Sequence, residues 1–200
     1  MAKGFDTRAN CAAKAAAIKA AGYDFVARYL GRNPEKVIVA SEAAALHTAG
    51  LGIVLVYEDA PTSIEYFSLE RGFSDATRAM QQARLIGAAP GTALYFTVDY
   101  DALTSSWLPI SAYFAGAAQA LDKSGYRVGV YGSGAVCRGM LQRGVAALGW
   151  RSQSRGWQGY DAFTDWAISQ GPPTLVEGLS VDEDEAVGDY GAFMPEADAA

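Results

Sequence analysis

Five short apolar runs, each followed by a helical pattern that stops at or near a glycine, constrain this chain more than any other feature. The runs are GFDT at 4–7, FVARYL at 25–30, GIVLVYE at 52–58, ALYFTVD at 93–99 and RVGVYGS at 127–133. They are rich in β-branched and aromatic residues and read as strands. Between them, the Ala-rich segment Cys11–Ala21 ends at Gly22, Ser41–Ala49 ends at Gly50, and Asp75–Gly87 carries Ala76, Met80, Ala83 and Ile86 at helical spacing. A fourth helix is expected over about Leu108–Lys123, with Pro109 in its first turn and Gly125 just past its end, and a fifth over about Ala135–Val145. Alternation of this kind points to a parallel sheet, because parallel neighbours need a crossover long enough to hold a helix.

Beyond residue 145 the rhythm changes. Strands are expected at LGWRSQ 148–153, DWAISQ 165–170 and LSVDEDEA 179–186, but the links between them hold Gly, Pro and Ser, and GPPTLVEG has no room for a helix. Eight strands with about five helices predict an α/β fold of one domain over residues 1–200: a shortened (β/α) TIM-like barrel, since a regular eightfold barrel takes ~250 residues. A doubly wound open sheet is the alternative.

Composition narrows the partners. The formal charge of -6 and the lack of a basic stripe argue against nucleic acid. No stretch reaches the length of apolar sequence that spans a membrane, and MAKGFDTRAN has no apolar core of a Sec signal. Cys11 and Cys137 match no zinc spacing and read as small buried thiols, with a disulfide as the other option. A Ser-His-Asp triad would have to use His47, which in SEAAALHTAG sits where a helix end favours an imidazole. The glycines of YGSGAVCRG lack the Lys of a phosphate loop and read as tight turns. No cofactor and no metal are expected.

The stretch LYFTVDYD ends an apolar strand with two acids. In a β/α barrel the chemistry sits at the C-terminal ends of the strands. Residues two apart share a face, so Asp99 and Asp101 are expected to face the barrel mouth while Phe96, Val98 and Tyr100 pack outward. Asp6 after the first strand, Glu58 after the third and Asp182 in the eighth join them, whereas Asp59 and Asp184 read as solvated loop acids. Strand eight should lie beside strand one, making Asp6 and Asp182 neighbours. Crowded, desolvated carboxylates hold protons more tightly, so one can donate a proton while another stays ionised, as glycoside hydrolysis requires. The other reading of each acid is a loop residue or a helix cap. Tyr131 and Trp150, and after them Trp157, Tyr160 and Trp166, offer flat faces to sugar rings or simply pack. Arg28 and Tyr29 are placed to orient a substrate carboxylate or hydroxyl, and Gln170 to hydrogen-bond.

GFDT, Gly72 with SDATRAMQQARLIGAAPGTALYFTVDYD, VGVYGS, Trp150, Gln170 and SVDED together resemble a bacterial and phage family of glycoside-hydrolase-like proteins. That family is similar to the family 25 lysozymes, which cleave peptidoglycan between N-acetylmuramic acid and N-acetylglucosamine. The resemblance covers nearly the whole chain. It implies a barrel of five β/α units followed by three strands, a carboxylate set at Asp6, Asp99, Asp101 and Asp182, and a peptidoglycan glycan as partner. A monomer is expected, acting at the cell wall after holin-type release or by another route, and otherwise cytoplasmic. In family 25 the third residue of the fourth-strand motif is a Glu that donates the proton; here it is Asp101, one methylene shorter. The substrate would then sit closer to strand four, or Glu58 would supply the acid, or the site would bind sugar without cleaving it. A further option is a hydrolase that uses the acids to hold a hard cation.

Overall fold

A computed structural model describes residues 1–194. Eight strands close into a barrel in sequence order: β1 (Ala2–Asp6), β2 (Phe25–Leu30), β3 (Gly52–Tyr57), β4 (Ala93–Thr97), β5 (Arg127–Gly132), β6 (Leu148–Arg151), β7 (Ile168–Val176) and β8 (Leu179–Ala186). Strands β1 to β7 pair in parallel, while β8 runs antiparallel to both β7 and β1. That reversal explains the missing helix, because an antiparallel neighbour needs only a tight turn. The turn is Glu177–Gly178, with φ of 50° and 76°, the left-handed pair that a two-residue hairpin uses. Gly171, Pro172 and Pro173 fall inside β7, and the ladder slips there, with a register shift between Gln170 and Pro173.

The helices are α1 (Ala15–Ala20), preceded by a 3-10 turn at Ala12–Lys14, then α2 (Ala40–Thr48), α3 (Leu69–Leu85), α4 (Trp107–Leu121) and α5 (Gly134–Gln142). Helix α3 starts at Leu69 rather than at Asp75 as the sequence pattern predicted. Ser68 caps it by accepting the Arg71 N–H, and Leu69 and Phe73 in the first turns are exposed, which hides the periodicity. His47 lies in the last turn of α2, with Nε2 3.2 Å from the Phe193 carbonyl. Both cysteines are buried free thiols.

Alternation along the strands divides the apolar residues into two sets. Phe5, Val26, Ile53, Phe96, Val98 and Val130 face the helices. Phe25, Val54, Val56, Tyr95, Trp150 and Ile168 fill the barrel. Inside, small residues make way for large ones: a side chain at Gly4 would enter the Phe25 ring, and one at Gly129 the Tyr95 ring. Outside, Gly72 and Gly116 let the α3 and α4 backbones touch. Tyr190 closes the N-terminal end, its carbonyl accepting the Tyr95 hydroxyl at 2.9 Å and its ring 5.0 Å from Phe25. The interior is therefore packed at its N-terminal end. Among the described residues no helix is long and apolar enough to cross a membrane.

Candidate functional site

A cavity of about 250 Å³ opens at the C-terminal rim of the barrel, and four acids reach it from four strands. Asp6 ends β1, Glu58 follows β3, Asp99 follows β4, and Asp182 lies within β8. The β1–β8 register sets Asp6 directly opposite Asp182, a separation of about 5 Å between their Cβ atoms. Because β8 is antiparallel, Asp182 arrives from mid-strand and not from a strand end. Tyr29, Tyr131, Trp150 and Gln170 complete the wall below, and Ser152, Gln153, Ser154 and Trp157 border it after β6.

A chain of hydrogen bonds fixes these groups. Asp6 accepts the Tyr29 hydroxyl at 2.8 Å and the Gln170 amide at 2.7 Å. The Gln170 carbonyl oxygen accepts the Tyr131 hydroxyl at 2.9 Å and the Gln153 backbone N–H at 3.3 Å, and the Gln153 amide donates to Asp182 at 3.4 Å. Beneath, the Trp150 indole N–H donates to Asp184 at 3.0 Å, and its ring meets Tyr131 edge-on at 5.4 Å. Glu58 is paired with Lys36 at 2.7 Å, whose ammonium also sits 4.9 Å from the centre of the Tyr29 ring. Among the described residues the Asp99 carboxylate accepts no hydrogen bond.

Burial dominates the electrostatics. It pushes Asp6, 4% exposed, from the ordinary 3.8 to about 7, with help from the charges of Asp182 and Glu58 and against its two donors, Gln170 and Tyr29. Asp99 stands exposed at the rim, yet partial desolvation in the cavity mouth raises its proton affinity too, aided by Glu58 and opposed by Lys36. Asp182 is raised by desolvation and eased by Gln153. Asp184 is raised well above the usual range by complete burial, then by Asp6 and Asp182, with the Trp150 indole opposing. Among the described residues no group of three or more acids, histidines or cysteines is arranged to hold a metal ion.

The structure brings together Asp6, Glu58, Asp99 and Asp182 with Tyr29, Tyr131, Trp150 and Gln170. It does not bring in Asp101. Strand β4 stops at Thr97, so its alternation does not carry that far, and Asp101 lies outside the lining and accepts the Gln158 N–H at 2.9 Å. Nor does Arg28 face the cavity: it is 1% exposed, and its guanidinium is spent on Glu42, at 2.7 and 3.1 Å, and on the Thr7 carbonyl at 2.6 Å. Asp184 is not a solvated loop acid but a strand residue 1% exposed inside the barrel, and Asp59 is half-buried in an ion pair with Arg32 at 2.6 Å. Sequence reasoning missed Ser152, Gln153 and Ser154. Their signal was the polar run SQS directly after β6, where a barrel strand reaches its active rim.

A shortened barrel with a carboxylate-lined cavity at the C-terminal rim of its strands is a glycoside-hydrolase-like architecture. Residues 16–186 match the model of the family described as "Rv2525c-like, glycoside hydrolase-like domain", and the chain belongs to that family. It is similar to two uncharacterized proteins of Bacillus subtilis (strain 168). FadG is 31% identical over 172 residues, which cover 78% of this chain and 29% of FadG. YbfG is 30% identical over 181 residues, which cover 80% of this chain and 24% of YbfG. The chain thus spans less than a third of either relative. Among solved structures it is similar to the Tat-secreted protein Rv2525c of Mycobacterium tuberculosis in complex with L-tartrate, with a TM-score of 0.81, 20% identity, and coverage of 96% of this chain and 98% of that one. It is also similar to the modular autolysin LytC from Streptococcus pneumoniae in complex with a synthetic peptidoglycan ligand, with a TM-score of 0.59, 13% identity, and coverage of 92% and 46%. At these identities the likeness is one of fold.

Proposed function

We propose that this chain binds a bacterial cell-wall glycan across the rim and hydrolyses it, in the manner of a lysozyme of the family 25 type. The observation that carries the reading is the convergence of Asp6, Glu58, Asp99 and Asp182 on one cavity, with proton affinities pushed upward at Asp6, Asp99 and Asp182. Asp99 fits the proton donor, because its carboxyl is raised and has no competing partner among the described residues. Glu58 is committed to Lys36, and both oxygens of Asp6 are occupied by Tyr29 and Gln170. Asp99 gives its proton to the glycosidic oxygen as the bond to the anomeric carbon breaks. Ionised Asp182 stabilises the positive charge that develops on the ring. Water then supplies a hydroxyl to the anomeric carbon and a proton that restores Asp99. Asp6 and Gln170 hold the register between the two.

One observation favours a second reading, that of a wall-binding domain without catalysis: Asp101, where the family 25 motif has its Glu, is turned to the Gln158 N–H. Incubation with purified peptidoglycan separates the two. Hydrolysis predicts new reducing ends, reduced at least about 100-fold by Asp99→Asn. Co-sedimentation with walls without any reducing ends would leave binding alone.

A further inference from the structure

The link from β6 to β7, residues 152–167, is long and holds no helix, yet it walls the cavity through Ser152, Gln153, Ser154 and Trp157. A loop of this length without secondary structure is ordinarily either mobile or functional. Here it is fastened along its length. Near its start, Gln153 is bonded to Gln170 and Asp182. Toward its end, the Arg151 guanidinium donates to the Tyr160 and Phe163 carbonyls at 3.0 and 3.2 Å and lies 4.2 Å from the centre of the Tyr160 ring. Between these ties, residues 158 and 159 lie against the start of α5. The Ala135 N–H donates to the Gln158 carbonyl at 2.9 Å, and a side chain at Gly134 would enter the Gly159 carbonyl.

The remaining tie comes from Asp101, whose carboxylate accepts the Gln158 N–H at 2.9 Å. Gln158 is thus held from both sides, its N–H by Asp101 in the link between β4 and α4 and its carbonyl by Ala135 of α5. Its neighbour Trp157 is half-buried at the border of the cavity. Asp99, the proton donor of the reading above, stands two residues before Asp101. One short segment therefore offers its first carboxyl to the cavity and its second to the loop that walls it. A hydrogen bond from a backbone N–H to a carboxylate is charge-assisted and stronger than one between neutral groups. A tryptophan whose backbone is already fixed meets a sugar ring with little loss of freedom on binding.

We infer that Asp101 is a positioning residue: it holds the β6–β7 loop so that Trp157 forms a ready-made platform for a sugar ring beside the acids. The inference rests on the glycan reading of the site and gives Asp101 a task that involves no proton transfer. An amide oxygen accepts an N–H as a carboxylate does, so Asn at this position keeps the tie, while Ala removes it.

The test uses the full chain with 5-fluorotryptophan at its four tryptophans, the fluorine resonance of Trp157 being assigned from Trp157→Phe. Asp101→Ala should move that resonance and leave those of Trp107, Trp150 and Trp166 in place, whereas Asp101→Asn should keep all of them at their wild-type positions. Binding of a sulfur-linked tetrasaccharide of the peptidoglycan glycan strand, which resists hydrolysis, is then measured by titration calorimetry. Asp101→Ala and Trp157→Ala should each weaken binding about tenfold, the scale of one charge-assisted hydrogen bond or one aromatic contact, and Asp101→Asn by less than about threefold. Asp101→Ala added to Trp157→Ala should cost little more than Trp157→Ala alone, because the first acts through the second. A Trp157 resonance unmoved by Asp101→Ala, an Asp101→Asn variant as weak as Asp101→Ala, or full additivity of the two losses would overturn the inference and leave glycan binding standing. Failure of the wild type to bind the tetrasaccharide at millimolar concentration would overturn the glycan reading and the platform with it.

Discussion

Replacing Asp6 by Asn removes a titrating group from the floor of the site while keeping its shape. Asp6 is 4% exposed and holds its proton up to about 7 against an ordinary 3.8. Below the ordinary value, both folded and unfolded chains carry the proton, and the residue costs nothing in charge. Between the two values the folded chain keeps a proton that the unfolded chain has lost, so the slope of unfolding free energy with pH is negative. Stability due to this group is fully present below about pH 4 and is lost as pH rises through about 7. At 1.36 kcal/mol per unit, the loss comes to about 4 kcal/mol, a large part of the ~5–15 kcal/mol that holds a domain together. The Asn variant has no such loss. Its altered hydrogen bonds to Tyr29 and Gln170 add an offset of ~1 kcal/mol that does not depend on pH. Urea denaturation of both proteins from pH 4 to pH 8 reads the difference directly: the variant should gain on the wild type steadily through this window. A difference that stays flat with pH would refute the argument that burial governs Asp6.

Three more outcomes follow from the packing. Arg28→Met should cost about 3–5 kcal/mol, because Glu42 would be left buried with only the Cys11 N–H; Arg28→Met with Glu42→Leu should recover part of that, read by denaturation midpoints. Gln170→Leu removes a donor that eases the ionisation of Asp6, so the carboxyl carbon resonance of Asp6 should titrate at higher pH than in the wild type. Gly72→Ala drives a methyl into the Tyr113 carbonyl and should destabilise the α3–α4 contact by about 1–3 kcal/mol, measured by thermal unfolding.

The barrel was legible because its signals are local. Strand β2 falls at Phe25–Leu30, as its apolar run predicts, and Gly22 and Gly50, which end two helical patterns, take φ of 88° and 77°. Direction was not legible. Nothing in LSVDEDEA says that β8 runs antiparallel, since a strand buried on one face alternates the same way in either sense. That is why Asp184 read as a loop acid although it lies under Asp6, held by Trp150. The same limit applies to Asp101: alternation places it with Asp99 only while the strand lasts, and β4 ends at Thr97. Arg28 carried no mark of its partner, because Glu42 comes from a helix on the outside of the sheet and the pairing is set by tertiary packing alone.

The central claim is that acids from β1, β3, β4 and β8 act together on a glycan in one cavity. Its most direct test is a crystal structure of the Asp99→Asn variant soaked with a peptidoglycan oligosaccharide. The account expects a sugar ring seated among Asp6, Asp182 and Trp157, with the linkage oxygen within hydrogen-bond reach of residue 99. A glycan bound elsewhere on the barrel, with this cavity left to solvent, would contradict it.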